Sequence, residues 1–150
     1  MAASGSPTPH PHEPAMSGTV HMPLDQSAID AAQERVMEAV TAAGYAKATL
    51  FAVRLAMHEA VSNAFRHGHE GLPDETTVGL TWRVTPAEVS IAVQDQGPGF
   101  VPQDVPDPTL EENLERGSGR GLLLIRAYMT SAEYADGGRR LEMTYRRPET

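Results

Sequence analysis

Glu59 and Asn63 stand four residues apart in the run Glu59-Ala60-Val61-Ser62-Asn63, a spacing that puts two side chains on one side of a helix. An amide oxygen is a hard donor of the kind magnesium accepts, and that ion takes few protein ligands beside phosphates and water. A carboxylate next to it is suited to take a proton from an attacking hydroxyl. A second group is Asp95-Gln96-Gly97-Pro98-Gly99-Phe100. Strand parity puts Asp95 on the same face as Val89, Ile91 and Val93, the core side. A core-facing carboxylate needs a partner, because an unpaired buried charge is very costly. The exocyclic amine of adenine would satisfy it and would select adenine over guanine, while Gly97 and Gly99 allow a tight turn and close approach of a flat ring. The third group is Arg116-Gly117-Ser118-Gly119-Arg120-Gly121, running into Leu122-Leu123-Leu124-Ile125. Glycines just before a helix expose backbone N–H groups to an anion, and the helix N-terminus adds a favourable field for phosphate. Arg116 and Arg120 are long enough to reach a terminal phosphate. Taken singly, each group also has an ordinary structural reading: a polar spot on a helix, an acidic turn after a strand, a flexible loop.

Other chemistries fail on the residues present. His58-Glu59 would open a zinc-protease helix, but the second histidine position is Ser62. His67 and His69 flank Gly68 without a third or fourth ligand. Ser118 lies in Gly-Ser-Gly rather than in a nucleophile elbow. A Walker loop needs Gly-Lys-Ser/Thr, and the only lysine is Lys47. After Gly99 comes a proline-rich stretch, not the helix of a dinucleotide fingerprint.

The elements that must position the three groups follow from periodicity. Residues 1–17 are rich in Pro, Ser, His and Ala and lack a pattern, which predicts a disordered tail before a domain over 18–147. Val20, Met22 and Leu24 alternate as a short strand. Asp25 or Ser27 can cap a helix over about 27–43 that stops at Gly44. A second helix is predicted over about 46–67, with Leu50, Val53, Met57, Val61, Ala64 and Phe65 in one apolar stripe. Its opposite side, Ala52, Leu55, Ala56, Glu59 and Asn63, is too apolar for a solvent face and should line a pocket or another element. Two strands over about 77–85 and 89–94 form a hairpin, with a turn at Thr85-Pro86-Ala87-Glu88. Residues 97–119 read as a long loop of lid type. A helix over about 121–129 and a last hairpin over about 131–136 and 139–146, turning at Gly137-Gly138, complete a set that predicts helices on one face of a largely antiparallel sheet.

Composition narrows the function classes. The 150 residues carry 40% hydrophobic and 21% charged side chains, ordinary for one globular domain. A net charge of −8 makes nucleic acid a poor partner. The cluster Arg139, Arg140, Arg146 and Arg147 reads as a solvated edge hairpin. There is no cysteine for disulfides or thiolate metal sites. No apolar run approaches a membrane span and no signal peptide opens the chain, so a cytoplasmic protein is expected.

The three groups, in this order, resemble the GHKL ATPases, the superfamily of gyrase, heat-shock chaperone, histidine kinase and mismatch-repair ATPase domains. Glu59…Asn63 matches the family's N box, Asp95-x-Gly97-x-Gly99-Phe100 its first glycine box, and Gly117-Ser118-Gly119-Arg120-Gly121 its second. The stretch from Glu112 to Leu122 looks particularly like the RsbW-like anti-sigma-factor serine kinases, as does the small size. The resemblance covers about residues 20–146. It implies a Bergerat fold, an α+β two-layer sandwich with a mixed, mostly antiparallel sheet, holding ATP and Mg2+ under a lid. It implies that Asn63 holds magnesium, Asp95 reads the adenine amine, Gly97 and Gly99 shape the base pocket with Phe100, and Gly119 and Gly121 meet the phosphates beside Arg116, Gly117, Ser118 and Arg120. Glu59 would be the general base. The implied reaction is phosphoryl transfer from ATP to a serine or threonine of a small anti-sigma-factor antagonist of the STAS type, with a sigma factor as second partner. A module that binds ATP and sequesters a partner without transfer is the alternative. Relatives of this type often dimerise, so a homodimer belongs to the same expectation.

Overall fold

A computed structural model of the chain describes residues 16–68, 71–73, 75–97 and 117–148, with the backbone alone at 67–68 and 117–120. Alternating apolar residues make five strands: β1 (Met16–Met22), β2 (Val78–Val84), β3 (Glu88–Gln94), β4 (Ser131–Ala135) and β5 (Arg140–Arg146). They pair in the order β1-β2-β3-β5-β4, and each of the four ladders is antiparallel. The mixed component expected of the sheet is absent from these strands. Val20, Leu80, Val93 and Leu141 lie in adjacent register on the side that meets the helices. The other face carries Thr19, Thr81, Glu142 and Glu133, with Thr19 and Thr81 hydroxyls 3.3 Å apart in the open. One face buried and one solvated is the habit of antiparallel sheets.

Three helices cover the buried face: α1 (Gln26–Ala42), α2 (Lys47–Asn63) and α3 (Gly117–Tyr128). Asp25 caps α1, its carboxylate accepting the Ala28 N–H at 3.0 Å, which satisfies one of the free donors of the first turn. α1 lies over β1 and β2, α2 over β3, and α3 over β4. As the central helix, α2 is pressed from both flanks, so Ala52, Val53, Ala56, Met57, Ala60 and Val61 are all buried. That arrangement explains why its second face is not a solvent face.

Several boundaries differ from expectation for local reasons. β1 begins at Met16, inside the stretch expected to be tail, because Met16 and Gly18 pair with Val84 and Trp82. The remaining residues of the tail, 1–15, lie outside those described. β1 ends at Met22 rather than Leu24, since Pro23 supplies no N–H to a ladder, and Leu24 is 62% exposed. α2 gives way at Asn63 to a π turn, Ala64–Gly68. α3 starts at Gly117, so the glycine-rich group forms its first turn instead of a loop ahead of it. The last hairpin lies at the edge of the sheet as expected, with β4 outermost and β5 between β4 and β3.

The arginines of the C-terminal cluster lie at the surface, each with a partner. Arg146 lies 3.6 Å from Glu88, and Arg140 lies 2.9 Å from Glu142. Arg147 stacks 4.0 Å over the Tyr45 ring and donates to the carbonyls of Pro86 at 2.7 Å and Ala43 at 3.1 Å. One side chain thus joins the β2–β3 turn to the α1–α2 connection. Tyr45 donates to Thr85 O at 2.7 Å in the same knot, and burial pushes its hydroxyl above the ordinary tyrosine range against the opposing pull of Arg147. Arg147→Ala is expected to cost about 1–3 kcal/mol from the lost charged hydrogen bonds and stacking. Thermal melting should register that as a fall of roughly 2–12 °C, with nucleotide affinity unchanged.

Candidate nucleotide site

Two hydrogen bonds fix where α2 begins over the sheet. Tyr45, just ahead of α2, donates to Thr85 O at 2.7 Å, and Thr49 Oγ1 donates to Tyr145 Oη at 2.9 Å. Tyr145 pairs with Val89 at the start of β3. The start of α2 therefore lies over the start of β3. With a rise of about 1.5 Å per helical residue and about 3.4 Å per strand residue, Glu59 and Asn63 come to the end of the sandwich where β3 delivers Asp95. α3 runs the opposite way: its last residue, Tyr128, meets Phe51 edge-to-face at 6.0 Å. That brings the start of α3 to the same end. The C-terminal end of α2, the C-terminal end of β3 and the N-terminal turn of α3 converge there.

The closest meeting is at Gly121. A Cβ built on this glycine would overlap the Asn63 amide nitrogen and stand 2.7 Å from Glu59 Oε2. Glycine is the residue that lets the α3 backbone lie against both side chains. Glu59, Asn63 and Gly121 are thus in contact; the four-residue spacing predicts a shared side for the first two only. Ala52 and Ala56 share the Glu59 and Asn63 side of α2, whereas Leu55 does not: it lines the outer groove of about 450 Å3 between α1 and α2, with Gln33 and His58. A helical residue three positions on from Ala52 is turned about 60° away from it, enough to cross to the other flank.

Asn63 Oδ1 accepts a long N–H from Arg66, 3.4 Å, near the surface. A hard amide oxygen in such a weak contact, with a carboxylate one turn back, is a donor set suited to magnesium. The first-turn N–H groups of α3 have no carbonyl of their own helix to meet, which suits an anion beside Gly121.

At the end of β3 the chain turns at once. Asp95 Oδ1 accepts the Gly97 N–H at 2.8 Å, an Asx turn that orients the carboxylate. Asp95 N–H donates to Arg139 O at 2.8 Å, and Gln96 Nε2 donates to Thr77 O at 2.9 Å. Asp95 is half-buried. Its charge reaches Tyr134, whose phenol is pushed up chiefly by burial, pulled back by Arg126 and raised further by Asp95. Sequence reasoning missed Arg139: its guanidinium Nε donates to Gly97 O at 3.0 Å. No spacing rule signals an arginine folding back onto a carbonyl across a hairpin.

Glu59, Asn63 and Gly121 therefore meet where α2 ends, and Asp95 and Gly97 form the turn that ends β3. The backbone of Gly117, Ser118, Gly119 and Arg120 forms the α3 start. Gly99, Phe100 and Arg116 lie outside the described residues, as does the stretch 98–116 of the expected lid. No helix among the described residues is long and apolar enough to cross a membrane.

Over 93 residues the chain is 33% identical to a protein of Bordetella bronchiseptica named serine/threonine-protein kinase BtrW. The match covers 59% of this chain and 62% of that relative, so the chain spans less than two thirds of its length. A family model described as histidine kinase-like ATPase domain matches residues 22–145, from the end of β1 to the end of β5. With a five-stranded sheet covered by three helices among the described residues and a family model that spans most of its length, the chain belongs to the histidine kinase-like ATPase domain family.

Proposed function

We propose that this chain is an ATP-dependent serine/threonine protein kinase of the anti-sigma-factor type, which phosphorylates a small STAS-type antagonist and binds a sigma factor according to the antagonist's state. The observation that carries the reading is the seat of Gly121 on Glu59 and Asn63. It joins a candidate base, a candidate metal ligand and a phosphate-binding helix start at one point. The name of the Bordetella relative supports the choice of hydroxyl acceptor.

Each residue has a defined task. Asp95, oriented by Gly97, accepts the adenine amine and disfavours guanine, whose corresponding position is a carbonyl. The α3 start supplies backbone N–H groups to the phosphates. Asn63 would hold magnesium, which when bound supplies neutralisation of phosphate charge. Glu59 takes the proton from the serine or threonine hydroxyl as that oxygen bonds to the terminal phosphorus, and ADP departs with the bridging oxygen. Catalysis rests on alignment and charge neutralisation, with no covalent enzyme intermediate.

Asp95→Asn is expected to weaken ATP binding about tenfold or more, the scale of a lost charge-assisted hydrogen bond. The preference of ATP over GTP should shrink with it, as titration of both nucleotides will read. The decisive experiment captures partners on the chain with Mg-ATP and with Mg-ADP and maps phosphosites on whatever binds. Label on a serine or threonine of a small partner is the expected result. Tight ATP binding with no label on any partner would leave a sequestering module in place of a kinase.

A further inference from the structure

We infer that Arg139 is a positioning residue of the base pocket, clamping the Asp95–Gly97 turn from the β4–β5 hairpin and so setting how the Asp95 carboxylate is presented. The inference rests on the assignment of Asp95 to adenine. Two contacts of one residue hold both ends of the turn. Arg139 O accepts the Asp95 N–H at 2.8 Å, and Arg139 Nε donates to Gly97 O at 3.0 Å. Gly97 in turn donates its N–H to Asp95 Oδ1 at 2.8 Å. The path from guanidinium to carboxylate is therefore a single residue, Gly97.

Strand pairing alone would not do this. The β3–β5 ladder closes with Gln94 opposite Arg140, and the Asp95–Arg139 backbone bond adds one more contact beyond it. Gly97 lies past the reach of that ladder, and the Arg139 side chain carries the hairpin's grip out to it. The hairpin is shaped to fold the arginine back. Asp136, Gly137 and Gly138 all have positive φ, at 52°, 62° and 87°. A Cβ on Gly137 would press to 3.0 Å from Arg139 Nη1. The guanidinium is braced by Asp136, donating Nη1 to its carbonyl at 3.1 Å with the Asp136 carboxylate 3.7 Å away. Asp136 is anchored to β3 by Gln94 Nε2 at 3.0 Å. A planar fork that can serve two carbonyls in different directions suits this clamp, and a lysine ammonium does not reproduce it.

The test compares ATP and GTP affinity in the full chain carrying Arg139→Met, Arg139→Lys, Asp95→Asn, and Arg139→Met with Asp95→Asn. Melting without nucleotide reports folding separately. Both Arg139 variants are expected to stay folded and to lose about tenfold of the ATP-over-GTP preference, the scale of one or two polar contacts. In the Asp95→Asn background Arg139→Met should change the preference no further, since contacting residues couple while independent ones add. A selective wild type whose preference survives in folded Arg139→Lys overturns the role of Arg139 alone. The same holds if the two changes prove additive. Equal affinity for ATP and GTP in the wild type overturns the assignment of Asp95 and this role with it.

Discussion

Gly121→Ala is expected to abolish the stabilisation by Mg-ATP while leaving the empty protein nearly as stable as before. The two halves of that result have separate causes. In an exposed helix, exchanging glycine for alanine gains about 1 kcal/mol, and overpacking at a tight contact costs about 1–3 kcal/mol. Here the new methyl would meet the amide end of Asn63 and the carboxylate end of Glu59 rather than backbone. Side-chain ends at the last turn of α2 can swing aside, so the cost falls at the low end and roughly offsets the gain. The swing, however, removes the amide oxygen and the carboxylate from the places proposed for them beside the phosphates. Wild-type protein with Mg-ATP at a hundredfold its dissociation constant should gain about 2.7 kcal/mol, a melting rise of roughly 5–10 °C. Gly121→Ala should show no such rise. Adding Asn63→Ala should relieve the crowding and raise the melting point of the empty variant without restoring the response. A Gly121→Ala protein that binds Mg-ATP as the wild type does would separate the second glycine box from the N box and remove the basis of the functional reading.

The sequence already displays the parts that obey local rules. Alternation in Val78 to Val84 and Val89 to Val93 marks β2 and β3. The two-sided burial of α2 is legible in Ala52, Ala56, Glu59 and Asn63, because only a central helix wastes no flank on solvent. What escapes is set by long-range geometry. Gly117 to Gly121 looks like a loop because glycine is a poor helix former, yet it forms the first turn of α3, whose Gly121 packs against α2. The start of β1 at Met16 is hidden because Ser17, Gly18 and Thr19 resemble the tail before them, and only pairing with β2 makes them a strand. Arg139 and Arg147 look like equivalent members of one basic cluster. In space the first clamps the turn beside Asp95, and the second ties the far end of the sandwich around Tyr45. Their partners are backbone carbonyls, 42 and 61 positions away, which no residue spacing encodes.

Glu59→Gln is expected to bind Mg-ATP with wild-type affinity and to transfer phosphate about 10²–10⁴ times more slowly, the usual contribution of a general base. Glutamine keeps the length and the hydrogen-bonding outline of the side chain, so Gly121 and Asn63 retain their neighbour. What it loses is the capacity to hold the hydroxyl proton. The argument for a base at this position is its location: Glu59 Oε2 stands 2.7 Å from where a Cβ of Gly121 would be, at the helix start that would carry the phosphates. A residue whose only work is packing would cost stability when changed, and Glu59 is half-buried at a helix end where an amide packs equally well. Single-turnover transfer to an antagonist serine, measured beside nucleotide affinity, separates the two roles. If transfer persists at the wild-type rate in Glu59→Gln, proton removal belongs to another group. In that case the contact with Gly121 serves only to align Asn63. If affinity and transfer fall together, Glu59 is part of the nucleotide's binding surface and the reaction proceeds without a dedicated base.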